Sequence, residues 1–150
     1  MSADEIDAHP TWIKRLEIIR RQAADAMGIK ASGSIPKTGI VSSPSSHQVQ
    51  SGRNLDSKSC DLVVRAISVG QPYRAVPITV AMALASAAKL EGSVVSRCVA
   101  ERLVDDGGIT IGHNSGTILV GARFDAAGKV ESATIFRTAR RLMDDTVSYS

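Results

Sequence analysis

The stretch Gln71–Val95, QPYRAVPITVAMALASAAKLEGSVV, decides how this chain folds. From Ala75 to Leu90 it carries Val76, Ile78, Val80, Met82, Leu84 and a run of alanines, with apolar residues on every helical face. A surface helix keeps one polar face, so a helix that is apolar all round is expected to be enclosed by other elements. Its alanines let neighbouring strands come close. Gly92 closes the segment, while Arg74, Pro77 and Thr79 stand at its entrance. Those three residues either punctuate the helix or form the rim of a site.

Around this rod the chain alternates recognisable elements. Trp12, Leu16, Ile19, Ala23 and Met27 recur at helical spacing, which predicts an amphipathic helix over 10–27 buried along that stripe. Pro10 suits its first turn and Gly28 its end. TGIVSS (38–43) reads as a short strand, and CDLVVRAISV (60–69) as a longer, β-branched one. Between them SPSSHQVQSGRNLDSKS has no periodicity, and residues 44–59 are expected to form a flexible exposed connection. SVVSRCVAERLV (93–104) fits a strand and a short helix equally. The last third gives short β runs divided by Gly107-Gly108, Asn114-Ser115-Gly116 and Asp125 to Gly128. Strands running past one buried helix predict an α+β domain, with a sheet curled around that helix. A length of 150 residues fits one domain with a real core.

Composition narrows the function. Basic and acidic residues nearly balance, 18 against 15. Lys14-Arg15 and Arg20-Arg21 fall between apolar helix positions, so a solvated face is expected and no nucleic acid. No apolar run reaches the roughly 20 residues that span a bilayer, so no membrane is expected. Cys60 and Cys98 have neither the spacing nor the His partners of a metal motif. With an acidic, polar N-terminus, they suggest a reducing, cytoplasmic setting.

Three blocks, QPYRAVPITVAMALASAAKLEGSVV, ITIGHNSGTILVGA (109–122) and VESATIFRTARRLMDDTV (130–147), together with LEIIRRQAADAMGI and IPKTGIV in the expected order, resemble the C-terminal part of the PrpF family. These are aconitate and methylaconitate isomerases with the fold of diaminopimelate epimerase. The resemblance covers nearly the whole chain but less than half of a full-length member. It implies two similar domains facing a cleft, with residues 1–150 as the second domain and the first one absent. It further implies a cofactor-independent proton transfer that moves the C=C bond of a small polycarboxylate. Such a reaction needs a base, an acid and donors that hold the carboxylates.

The resemblance assigns substrate contacts to Arg74, Thr79, Val80, Ala81, His113, Asn114, Ser115 and Gly116. Thr79 and the amides of Val80 and Ala81 would face an anion from a helix N-terminus. The family's Thr-Gly-Ala is Thr79-Val80-Ala81 here, its His-Lys/Arg-Ala is Tyr73-Arg74-Ala75, and its GHPSG loop is Gly112-His113-Asn114-Ser115-Gly116. Arg137, Arg140 and Arg141 are read as supporting the fold or an interface. The family's proton-transfer Lys and Cys lie in the first domain, so neither Lys37 nor Lys89 takes their place and the catalytic groups of this chain stay unassigned. A half-enzyme, inactive alone, needs a separate first domain, or self-associates as a dimer through the face its twin would cover; a truncated product is one source of such a chain. The rival expectation is a non-catalytic binding or assembly module that keeps the fold.

Overall fold

A computed structural model describes residues 5, 6, 8–68 and 71–138. It contains helix α1 (Pro10–Ala26), strands β1 (Thr38–Ser42), β2 (His47–Gln48) and β3 (Asn54–Leu55), and a 3-10 turn at Ser57–Ser59. Strands β4 (Leu62–Ser68) and β5 (Gln71–Pro72), helix α2 (Ile78–Ala88), and strands β6 (Ile109–His113), β7 (Gly116–Phe124) and β8 (Val130–Phe136) follow. The main sheet runs β1-β4-β6-β7-β8, with β5 on β4. All its pairs are antiparallel except β4 with β6. This is the expected α+β architecture with a mixed sheet.

β4 explains why its sequence is apolar at nearly every position. Leu62 and Val64 face the main core with Ile109, Ile111, Ile118 and Val120, against Ala81, Leu84 and Ala85 of α2. Val63 points to the opposite face and packs with Val49, Leu55 and Cys60. Ile67 meets Ile6 and Leu16 there. A strand covered on both faces loses the alternation of a half-exposed one.

The helix that decides the fold is covered on one side only. α2 packs on β7 and β8 and buries Ala81, Leu84 and Ala85. Ile78 is 50% exposed and Ala83 lies open. The rod expected over 75–90 is therefore shorter and not enclosed, because the sheet reaches round it from one face. α1 has the expected bounds with a different buried face. Leu16, Arg20 and Ala24 are buried, while Trp12, Ile19 and Met27 remain 40%, 46% and 55% exposed. Arg20 turns the stripe: its guanidinium bonds Glu17 at 2.7 and 2.8 Å and the carbonyls of Ser32 and Ile35 at 2.6 and 2.9 Å. Apolar spacing alone cannot see a cation whose charge is met by a carboxylate and two carbonyls.

The 44–59 stretch also carries more structure than expected. β2 and β3 form a two-stranded hairpin, and its buried Val49 and Leu55 cover β4. Residues 91–104 form irregular turns, neither strand nor helix, with Val95 and Val99 against the core. Of the expected strand over 60–69, Val69 lies outside the described residues, as do Arg140 and Arg141. Gly108 lets two strands meet, since a Cβ there would sit 2.3 Å from the Val120 carbonyl oxygen.

Fully buried Asp61 binds the sheet to the turns that follow α2. Its carboxylate accepts from the amides of Val104 at 2.8 Å and Thr110 at 2.6 Å. Its backbone pairs with Thr110 and Ala100 at 2.7 and 2.8 Å. Removing the carboxylate strands two donors, the Thr110 amide in the buried interior and the Val104 amide nearer the surface. Asp61→Ala is expected to lower stability by about 3 kcal/mol in urea unfolding, and Asp61→Asn, which keeps one acceptor, by less. A loss below about 1 kcal/mol for Asp61→Ala contradicts this role.

Candidate functional site

The entrance to α2 and the β6–β7 turn are tied together. Asn114 Nδ2 donates to the Tyr73 carbonyl at 3.1 Å, and the Ser115 hydroxyl donates to the Arg74 carbonyl. The Asn114 carbonyl accepts from Gln50 N at 2.7 Å, which fastens the hairpin to the same turn. Gly116 holds φ +138, a backbone conformation that L side chains rarely adopt. The turn therefore sits beside residues 73–74. Its polar groups are engaged in holding the segment that leads into the helix.

His113 is buried, and its Nδ1 accepts from the Ser115 amide at 3.1 Å. In the neutral ring this leaves the proton on Nε2. Burial, and then the charges of Arg65, Arg137 and His47, push its pKa down from 6.5 to about 4. The ring is thus neutral near pH 7 and orders the turn. Desolvation lowers the pKa of buried Arg65 as well.

At the helix start the assigned residues separate. Pro77 occupies the N-cap position and gives no side-chain cap. The amides of Ile78, Thr79 and Val80 belong to the first turn, which has no intrahelical acceptors. Ala81 differs from the expectation: it is fully buried and its amide already donates to Pro77 O at 3.0 Å. The fourth amide of a helix closes the first intrahelical bond, so the anion-facing set moves one residue toward the N-terminus. Arg74 and Thr79 are exposed, and Val80 is half-buried.

Thr79 and Val80 open onto a groove of about 770 Å³ between α2 and the edge strand β1. Residues 112–116 take no part in lining it, and the 73–74 and 113–116 surface lies outside this groove. Lys37, set aside in the sequence reading, lines the groove with its ammonium 5.8 Å from the Tyr73 ring centre. Cys60 is buried and its thiol is pushed up by burial, which suits packing rather than proton transfer. Among the described residues no cluster of three or more His, Cys, Asp or Glu could hold a metal, and no helix is long and apolar enough to cross a membrane.

The family model for PrpF protein matches residues 2–150. The chain belongs to the PrpF family. It is 31% identical to a 2-methyl-aconitate isomerase of Shewanella oneidensis over 96% of this chain and 38% of that protein. It is 28% identical to a 3-methylitaconate isomerase of Eubacterium barkeri over 96% of this chain and 40% of that one. A crystal structure of methylitaconate-delta-isomerase superposes with a TM-score of 0.83 at 27% identity, over 95% of this chain and 39% of that chain. This likeness gives the chain the diaminopimelate epimerase-like fold. The chain spans about two fifths of the length of the relatives it matches.

Of the residues assigned from the sequence, the structure groups Arg74 with Asn114 and Ser115, and Thr79 with Val80. Asp61 and Arg65 escaped that reading. Their one signal was a charge within the apolar run 60–69. The His113 shift sets a pH dependence. The unfolded chain takes up a proton near pH 6.5 that the folded ring refuses until about pH 4, so stability falls as pH drops across that window. Comparing unfolding of wild type and His113→Gln from pH 7 to 4 should show a shallower fall in the variant. Equal slopes rule out a buried neutral His113.

Proposed function

We propose that the chain is the second-domain half of a PrpF-type isomerase. It would present a small unsaturated polycarboxylate, of the aconitate or methylaconitate kind, to proton-transfer groups on a first-domain partner. The observation that carries this reading is the superposition on methylitaconate-delta-isomerase, which covers nearly all of this chain and 39% of the other. The geometry agrees in kind. Exposed Arg74 and Ser115 stand together at the helix entrance, and a guanidinium fork matches a carboxylate. The unbonded amides of the first turn of α2 add partial positive charge close by.

In this reading the chain holds and orients substrate, and no buried group here moves the proton. An enolate-like charge would be stabilised by Arg74 and the Ile78 to Val80 amides, with the acid and base opposite, so that neither wall is active alone. Gly116 leaves the turn open to a close-lying carboxylate. No cofactor enters the scheme. The partner, a separate first domain or a second copy, would cover the apolar side chains left open on α1, and a cytoplasmic setting fits two free cysteines. One observation favours a non-catalytic binding or assembly role instead. Val80 stands where the family carries glycine, which keeps an anion farther from the backbone.

The two readings part in D₂O. With trans-aconitate and a first-domain polypeptide from a PrpF relative, the chain is expected to wash solvent deuterium into recovered substrate, and neither component alone does so. Arg74→Ala should reduce exchange at least tenfold, since charge-assisted hydrogen bonds to a carboxylate are worth roughly 1.5–3 kcal/mol. No exchange with both components present leaves the binding-module reading.

A further inference from the structure

The groove beside α2 is not explained by polycarboxylate chemistry. Its floor is the main core itself, with Val64 and Leu84 reached from outside, and its walls are Val41, Ala83, Ala87 and Val95. From Thr79 to Ala87 it follows α2 for about 12 Å, at 1.5 Å of rise per residue. Its volume of about 770 Å³ lies within the roughly 300–1,000 Å³ of small-molecule sites. A tricarboxylate would bury charge against aliphatic walls, which is unfavourable without partners.

The charge that the described residues bring to the groove has one sign. Among the described residues that line it, Lys37 is the only charged side chain and none carries a carboxylate. Its ammonium donates to a single carbonyl, Ser34 O at 3.3 Å, and lies on the side of the Tyr73 ring. An ammonium has three donors, so the bond to Ser34 O leaves two for a ligand. The hydroxyls of Thr38 and Thr79 border the same groove. A polar, cationic mouth above an aliphatic trough fits an anionic head with an alkyl tail.

We propose that this groove binds an aliphatic monocarboxylate of medium chain length, its carboxylate on Lys37 and its chain laid along Ala83 and Ala87 over Val64 and Leu84. The groove shares Thr79 and Val80 with the proposed polycarboxylate wall, while Lys37 and the aliphatic trough that carry this proposal take no part in the isomerase reading. A strand from another protein, or a second copy of this chain, would compete for the same space.

Titration calorimetry of the full chain with octanoate and with 1-octanol tests this. Both ligands should bind saturably at one site. Lys37→Met should weaken octanoate about tenfold and leave octanol unchanged. Ala83→Trp fills the trough from an exposed helix position and should abolish both, with the thermal unfolding midpoint confirming a folded variant. Val94→Asp, at another exposed wall position, should weaken octanoate more than octanol. Absence of saturable binding overturns the proposal, as does equal loss of both ligands in Lys37→Met. So does sedimentation that finds a dimer which Ala83→Trp splits, because the groove is then covered by a second copy.

Discussion

Two side-chain bonds hold the candidate site in shape: Asn114 to the Tyr73 carbonyl and Ser115 to the Arg74 carbonyl. They span 41 residues of sequence and fix the β6–β7 turn against the segment that feeds α2. They add to the Tyr73 amide bond to the Ala66 carbonyl at 2.7 Å and to buried Val76, which also hold this short segment to the sheet. With them, the position of Arg74 and the direction of the first helical turn are set by the main sheet. The rigid part of the fold thus reaches the surface at one place.

That connection is maintained from the inside. β4 runs buried on both faces, and its flanking Asp61 anchors Thr110 at the start of β6. β6 continues directly into His113, whose neutral ring accepts from Ser115 and orders the turn. The hairpin over β4 adds a bond from Gln50 to Asn114. Core packing, a buried carboxylate and a neutral histidine act in series. β6 is therefore the element that joins Asp61, through Thr110, to the turn.

Much of this was legible in the sequence, and the misses have physical causes. Apolar runs in β4 and in α2 announced a strand and a helix because burial selects those residues directly. Gly112 to Gly116 announced a turn. The buried face of α1 was misread because Arg20, not Ile19, turns inward with its charge satisfied by Glu17 and two carbonyls. Full enclosure of α2 was overread from composition: an apolar helix shows that cover is needed, not that this chain supplies it. The hairpin at 47–55 rests on two buried residues, Val49 and Leu55, too few to make a period. The helix entrance was half-read, since which amides are free follows from where the helix starts, and Pro77 set that start two residues before Thr79.

The central claim is that the β6–β7 turn and the entrance of α2 form one anion-holding wall. Amide NMR of the ¹⁵N-labelled chain, titrated with trans-aconitate at neutral pH, reads it most directly. The account predicts that resonances of Ile78 to Val80 and of Asn114 to Gly116 move together along one binding curve, however weak in the absence of a facing domain. Movement confined to one of the two segments, or none at tens of millimolar ligand while both segments are assigned, would contradict it.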